Sequence, residues 1–198
     1  MLKKSHIYVG RQLAENNGVS KGRLGRYALM VGSIVPDVVP TFLAKPHRID
    51  TTFDIVERKV DRLVNELKQE ANWSLRMIKD LGVILHYVTD YFTYPHNECY
   101  EGTVLEHLQY ELRLHQHIQQ VMEMNECYKL ENVRISRKLN TEVILNYIMW
   151  NHENYLQEQS SMLNDCLYIQ KVCESLCHIF FGNSQIAVGK DELITVTI

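Results

Sequence analysis

The stretch Leu81-Gly-Val-Ile-Leu-His-Tyr-Val-Thr-Asp-Tyr-Phe-Thr-Tyr-Pro-His96 constrains this chain more than any other. Apolar and aromatic residues occupy nearly every position, which is the composition of a helix buried on all sides. His86 and Asp90 are four residues apart, about 400° of rotation and about 6 Å of rise on a helix, so they leave one face one turn apart. They can grip one ion together. A carboxylate in such a helix is costly unless paired or bound to metal, so a cation is expected against Asp90. Pro95 lacks a backbone donor and disfavours helical geometry at Tyr94, so His96 is expected past a break, pointing its own way.

With 198 residues the chain is long enough to bury a core without disulfide staples. A net charge of -3 and a pI near 6.3 argue against a nucleic-acid protein held by phosphate contacts. No apolar run approaches the roughly 20 residues of a membrane span, and no apolar leader follows Met1-Leu-Lys-Lys-Ser-His6, so a cytoplasmic location is expected. Five cysteines, at 99, 127, 166, 173 and 177, fit reduced thiols. Cys166, Cys173 and Cys177 share one helical face and read as buried small hydrophobes, with a thiolate site including His178 as the alternative.

Taken in order, Ser5 is expected to cap a helix from His6 to Asn16, and Ser20 a second from Lys21 to Ile34 that Pro36 ends, with Asp37 just beyond. Val38 to Asp50 reads as a loop carrying His47. Thr51 or Thr52 is expected to cap a third helix to Ala71, striped by Phe53, Val56, Val60, Leu63, Val64 and Leu67. Asn72 is expected to cap the central helix. Further helices run from Thr103 to Met124, from Asn140 or Thr141 to Glu158, and from Ser161 to Phe181, with a polar connector over residues 125–138. The result is an all-α single domain of about seven helices over residues 1–182, followed by a tail, 183–198, of strand composition.

His6, Asp37, His47, His86, Asp90, His96, His107 and Glu111 all lie in the first 111 residues, on helix starts, loop ends and the two same-face pairs His86/Asp90 and His107/Glu111. Imidazole nitrogens and carboxylate oxygens are zinc ligands, and eight of them exceed one tetrahedral site. A multinuclear site is expected.

The pattern His86-x3-Asp90-x5-His96, then His107-x3-Glu111, preceded by His6, Asp37 after Gly-Ser-Ile-Val-Pro, and a loop His47, resembles the zinc-dependent phospholipases C. Their fold also serves zinc-dependent single-strand nucleases and the catalytic domain of glycosylphosphatidylinositol phospholipase D. The resemblance covers residues 5 to 115 by motif. It implies two or three Zn2+ ions: Asp37, His47, His86 and Asp90 hold one, Asp90 bridges to a second held by His6, and His96, His107 and Glu111 hold a third. It also makes Asp37 a candidate to orient or deprotonate an attacking water. Exported family members complete the second site with the amine and carbonyl of a mature amino-terminal tryptophan, and no tryptophan precedes His6 here.

The implied reaction is hydrolysis of a phosphodiester, expected to be a phospholipid headgroup met by transient contact with a membrane surface, with no stable nucleic-acid partner. The alternatives are a phosphoesterase acting on nucleotides or single strands, and a metal-binding module without activity. Around the motif, Tyr8, Tyr87, Tyr91, Phe92 and Tyr94 read as packing residues, Arg48 as the one basic residue placed to meet a phosphate, His115 and His117 as surface residues, and His152 as structural.

Overall fold

The computed structural model describes residues 1–19, 21–39, 45–69, 72–124 and 139–184. They form α1 (Lys3–Asn16), α2 (Gly22–Gly32), the one-turn α3 (Val35–Val38), α4 (Ile49–Gln69), α5 (Leu75–Tyr91), a 3-10 turn (Tyr94–His96), α6 (Val104–Met124), α7 (Thr141–Gln157) and α8 (Met162–Ser184). The architecture is all-α, and no described residue is in a strand. No helix among the described residues is long and apolar enough to cross a membrane. The expected Ser20 cap, the 125–138 connector, Cys127 and the strand-like segment over residues 185–198 lie outside the described residues.

The apolar stretch is the axis of the molecule. From Met77 to Tyr91 every residue of α5 except Lys79 is buried, because α2, α4, α8, α1 and α3 pack around it. The stripe predicted on α4 is realised, with Val56, Val60, Leu63 and Val64 buried and Phe53 and Leu67 partly so. Cys166, Cys173 and Cys177 face the core of α8 as small hydrophobes while His178 is exposed, so no thiolate site forms there. Burial pushes the Cys166 thiol up to about 12.

Several helix starts differ from expectation. α1 begins at Lys3, so Ser5 lies inside it, buried, with its hydroxyl on His115 Nδ1 at 2.9 Å rather than on a helix end. Thr51 and Thr52 also lie inside their helix, where their hydroxyls donate back to the Arg48 carbonyl at 3.0 and 2.7 Å. Ser74, not Asn72, caps α5 by accepting from Met77 N at 3.2 Å. α2 ends at Gly32, short of Ile34, and Pro36 stands instead in the first turn of α3, which its fixed φ suits, with Asp37 on that turn. Helices do start at the positions expected from Thr103, Asn140 and Ser161, whose side chains cap them.

Two features place the central helix and the break after it. Gly32 of α2 and Gly82 of α5 face each other so closely that a Cβ on Gly82 would fall on the Leu29 carbonyl and within 2.8 Å of Gly32 Cα. The absent side chains let Ser33, the next residue of α2's end, approach α5. Past Tyr91 the chain breaks at Pro95 as expected, and the turn is clamped from within: Asn97 donates to the carbonyls of Tyr91 and Thr93 at 3.2 and 3.0 Å, and His152 of α7 bonds Asn97 Oδ1 at 2.8 Å. His152 is thus structural, and burial lowers its pKa to about 4.

Gly82→Ala is expected to cost about 2–3 kcal/mol in urea unfolding, because both clashing atoms are backbone and cannot yield. A second outcome concerns acid. His152 titrates near 6.5 unfolded and about 4 folded, so it binds a proton less readily in the native state. Its contribution is present above pH 6.5 and lost as pH falls toward 4, up to about 3 kcal/mol. In chelator-treated protein, His152→Gln should remove that share of the acid slope between urea curves at pH 7 and pH 4.5.

Candidate metal centre

All eight residues singled out in the sequence meet at one place. α5 supplies His86 and Asp90, α1 supplies His6, α3 supplies Asp37, the segment before α4 supplies His47, the 3-10 turn supplies His96, and α6 supplies His107 and Glu111. Asp90 is fully buried at the middle. Its Oδ2 lies 3.1 Å from His47 Nδ1 and 3.2 Å from His86 Nε2, and those two nitrogens lie 3.0 Å apart. A tetrahedral zinc with bonds of about 2.0–2.1 Å holds its ligand atoms about 3.3 Å apart, so this triangle has the edge lengths of one face of such a site. Asp37 Oδ1 stands 3.7 Å from both nitrogens, beside the triangle.

The other oxygens turn the opposite way. Asp90 Oδ1 lies 3.3 Å from His6 Nε2, and Asp37 Oδ2 lies 3.9 Å from the same nitrogen. Both carboxylates therefore span two groups of donors. The His6 and His86 rings stack with centroids 3.9 Å apart. In the third group Glu111 Oε1 lies 3.1 Å from His96 Nε2 and 3.0 Å from His107 Nε2. His6/Asp37/His86, His47/His86/Asp90 and His96/His107/Glu111 each bring three donor atoms within 4.8 Å of one another.

Hydrogen bonds behind the rings set which nitrogen faces inward. His86 Nδ1 sits 2.9 Å from the Ser33 carbonyl, to which only an N–H can donate, so Nε2 carries the lone pair toward Asp90. Thr89 Oγ1 spends its proton on the His86 carbonyl at 2.7 Å and so accepts from His6 Nδ1 at 2.9 Å, leaving His6 Nε2 as a lone pair. That nitrogen is buried without a hydrogen-bond partner. His96 Nδ1 faces the His47 carbonyl at 3.3 Å, which again turns Nε2 inward. Outer partners of this kind fix tautomer and orientation at metal-binding histidines. No sequence spacing marks them, since two of the three are backbone carbonyls.

The electrostatics match a cation site. Burial, helped by His86, pushes the His6 imidazolium down to about 3, so the ring is neutral. Burial also raises Asp37. Burial opposes the charge of Asp90, but the Met1 ammonium, His96, His6 and His86 overcome it and hold the carboxyl well below the usual range. Glu111, likewise opposed by burial, is held low by its bonds to His107 and His96 and by the same ammonium. The Met1 amine lies 2.6 Å from Asp90 Oδ1 and 2.9 Å from both Glu111 Oε1 and His96 Nε2. Two carboxylates, Asp90 and Glu111, face it, and the orphaned His6 Nε2 lies 3.3 Å from Asp90 Oδ1. The donor set fits zinc in residue type, with His6, His86 and His96 each turning Nε2 inward.

A shallow, open pocket of about 630 Å³ leads to this cluster, lined by Met1, Leu2, Lys3, Lys4, Asp37, His96, His107, Glu111 and Leu112. Arg48 is not among the lining residues; Asp50 and Glu98 engage its guanidinium at 2.7 and 2.8 Å. Tyr87, Tyr91 and Phe92 are fully buried packing residues.

A family model described as zinc dependent phospholipase C matches residues 5–162, most of the chain and every residue of the cluster except Met1. No curated protein and no solved structure matches significantly.

Thr89→Val keeps the shape of the side chain but removes the oxygen that fixes the His6 tautomer. It should weaken the metal equivalent that depends on His6 by about tenfold, read by competition with a chromophoric chelator.

Proposed function

Because the chain belongs to the zinc-dependent phospholipase C family, we propose that it is a phosphodiester hydrolase whose substrate carries a phospholipid-type headgroup. The observation that carries this reading is the convergence of two donor groups on the two sides of one buried carboxylate, Asp90, with a third gathered on Glu111 beside them. Asp37, His47, His86 and Asp90 would hold one zinc; His6, with Asp90 and Asp37, a second; His96, His107 and Glu111 a third. Zinc ions so placed polarise phosphoryl oxygens and bring the pKa of a water near neutrality.

The chain's own residues supply the rest. Asp37 is the one carboxylate of the cluster that both reaches the inner donors and lines the open pocket. It is placed to orient the attacking water and accept its proton. Burial raises its proton affinity above that of an ordinary carboxylate, which suits a base. Lys3 and Lys4 at the pocket wall favour an anionic diester over a neutral ester, without defining its headgroup. The open, shallow mouth suits a bulky substrate whose diester alone enters.

The test follows metal content and turnover in the same samples, for wild type, Asp90→Asn and Asp37→Asn, with bis(p-nitrophenyl) phosphate, phosphatidylcholine vesicles and single-stranded DNA. The reading predicts two or three zincs per wild-type chain, hydrolysis of the first two substrates, and loss of metal and turnover together in Asp90→Asn. Asp37→Asn should lower kcat by about 10²–10⁴. Mononucleotide release with intact phosphatidylcholine would move the substrate to nucleic acid. Full metal occupancy without turnover of any diester would leave a binding module.

A further inference from the structure

Asp165 is buried at 0 % exposure in the first turn of α8, beyond the region matched by the family model. It takes no part in the cluster described above. Its Oδ2 accepts from Tyr94 N at 2.9 Å and from the Tyr110 hydroxyl at 2.9 Å, and its Oδ1 accepts from the Tyr155 hydroxyl at 2.8 Å. All three donors are neutral. Burying a carboxylate against neutral donors is costly, and an apolar residue of similar volume would fill the space more cheaply.

The identity of the donors gives the carboxylate a task. Tyr94 opens the 3-10 turn that ends at His96, and its backbone N–H fixes the entry to that turn. Tyr110 immediately precedes Glu111 and lies three residues after His107 on α6. One oxygen therefore ties together the two elements whose separation decides whether His96 Nε2 and Glu111 Oε1 meet, at the observed 3.1 Å. The turn's second clamp, Asn97 with His152, joins it to α7 instead. Without Asp165 the Tyr94 N–H and the Tyr110 hydroxyl lose their shared acceptor, and the turn meets α6 through ring contacts and the triad itself.

We propose that Asp165 is a positioning residue for the His96/His107/Glu111 metal triad, acting through the Tyr94 backbone and the Tyr110 hydroxyl. The proposal rests on the zinc reading of that triad. It makes the carboxy-terminal helices part of the metal centre's construction, although they contribute no ligand to it.

The experiment is cobalt titration of chelator-treated, folded protein, followed by the visible absorption of Co2+, with bound metal counted after dialysis. Glu111→Gln identifies the equivalent belonging to the triad. Asp165→Asn and Tyr110→Phe should each weaken that equivalent about tenfold and alter its absorption band, leaving the others unchanged. Tyr155→Phe removes a donor that touches neither ligand-bearing element, so it should lower the melting temperature without moving the band. Wild-type affinity and spectrum in Tyr110→Phe would overturn the proposal, as would an equal loss in Tyr155→Phe. Should Asp165→Asn not fold, the two tyrosine variants decide alone. A wild type that binds no cobalt or zinc at all would remove the zinc reading and this inference with it, whereas normal wild-type binding with unaffected variants removes only the inference.

Discussion

A carboxylate buried in an apolar helix must be answered by positive charge, and Asp90 is the point from which the rest of the site is arranged. Its two oxygens face different donor groups, with Oδ2 toward His47 and His86 and Oδ1 toward His6 and the Met1 amine. A side chain with one acceptor could serve only one of these. The helix that carries it is held on all sides by packing, so the carboxylate cannot retreat to water. The His6 imidazole stays neutral through burial, and hydrogen bonds behind the His6 and His86 rings set which nitrogen faces inward before any ion arrives. The cost of the buried charge is thereby carried by the fold and recovered on binding a cation.

Packing and electrostatics are linked through small details of the scaffold. The Gly32–Gly82 contact brings the end of α2 against α5, and this approach carries the Ser33 carbonyl to His86 Nδ1. Thr89 performs the same service for His6 from one turn further along α5. The break at Pro95 turns His96 away from the helix axis and toward α6, where Glu111 and His107 wait on one face. His86, His6 and His96 are thus placed by three different structural devices.

Much of this was legible in the sequence because it rests on local spacing. His86/Asp90 and His107/Glu111 are helical neighbours by arithmetic, and the stripe on α4 and the buried face of α8 follow from the 3.6-residue period. Pro95 announced the break that frees His96. What stayed hidden depends on contacts between residues far apart in the chain. Ser33 and the His47 carbonyl act through backbone atoms that every residue possesses, so no residue type marks them. The Met1 amine is a chain-end group outside any motif. Asp165 resembles an ordinary helix-start acid until the fold brings Tyr94, Tyr110 and Tyr155 around it. Helix starts were misplaced where a hydroxyl expected to cap turned inward instead, as with Ser5 on His115 and Thr52 on the Arg48 carbonyl. For Ser5 a capping preference gave way to a tertiary contact, while Thr52 bonds locally to the carbonyl four residues earlier.

The central claim is that the donors around Asp90 are a zinc site. An anomalous difference map recorded across the zinc absorption edge, on crystals grown with zinc, tests it directly. The account predicts one peak within about 2.2 Å of Asp90 Oδ2, His47 Nδ1 and His86 Nε2, and another among His96, His107 and Glu111. Zinc found only at exposed histidines such as His117 or His178, with no peak in bonding range of Asp90, would contradict it.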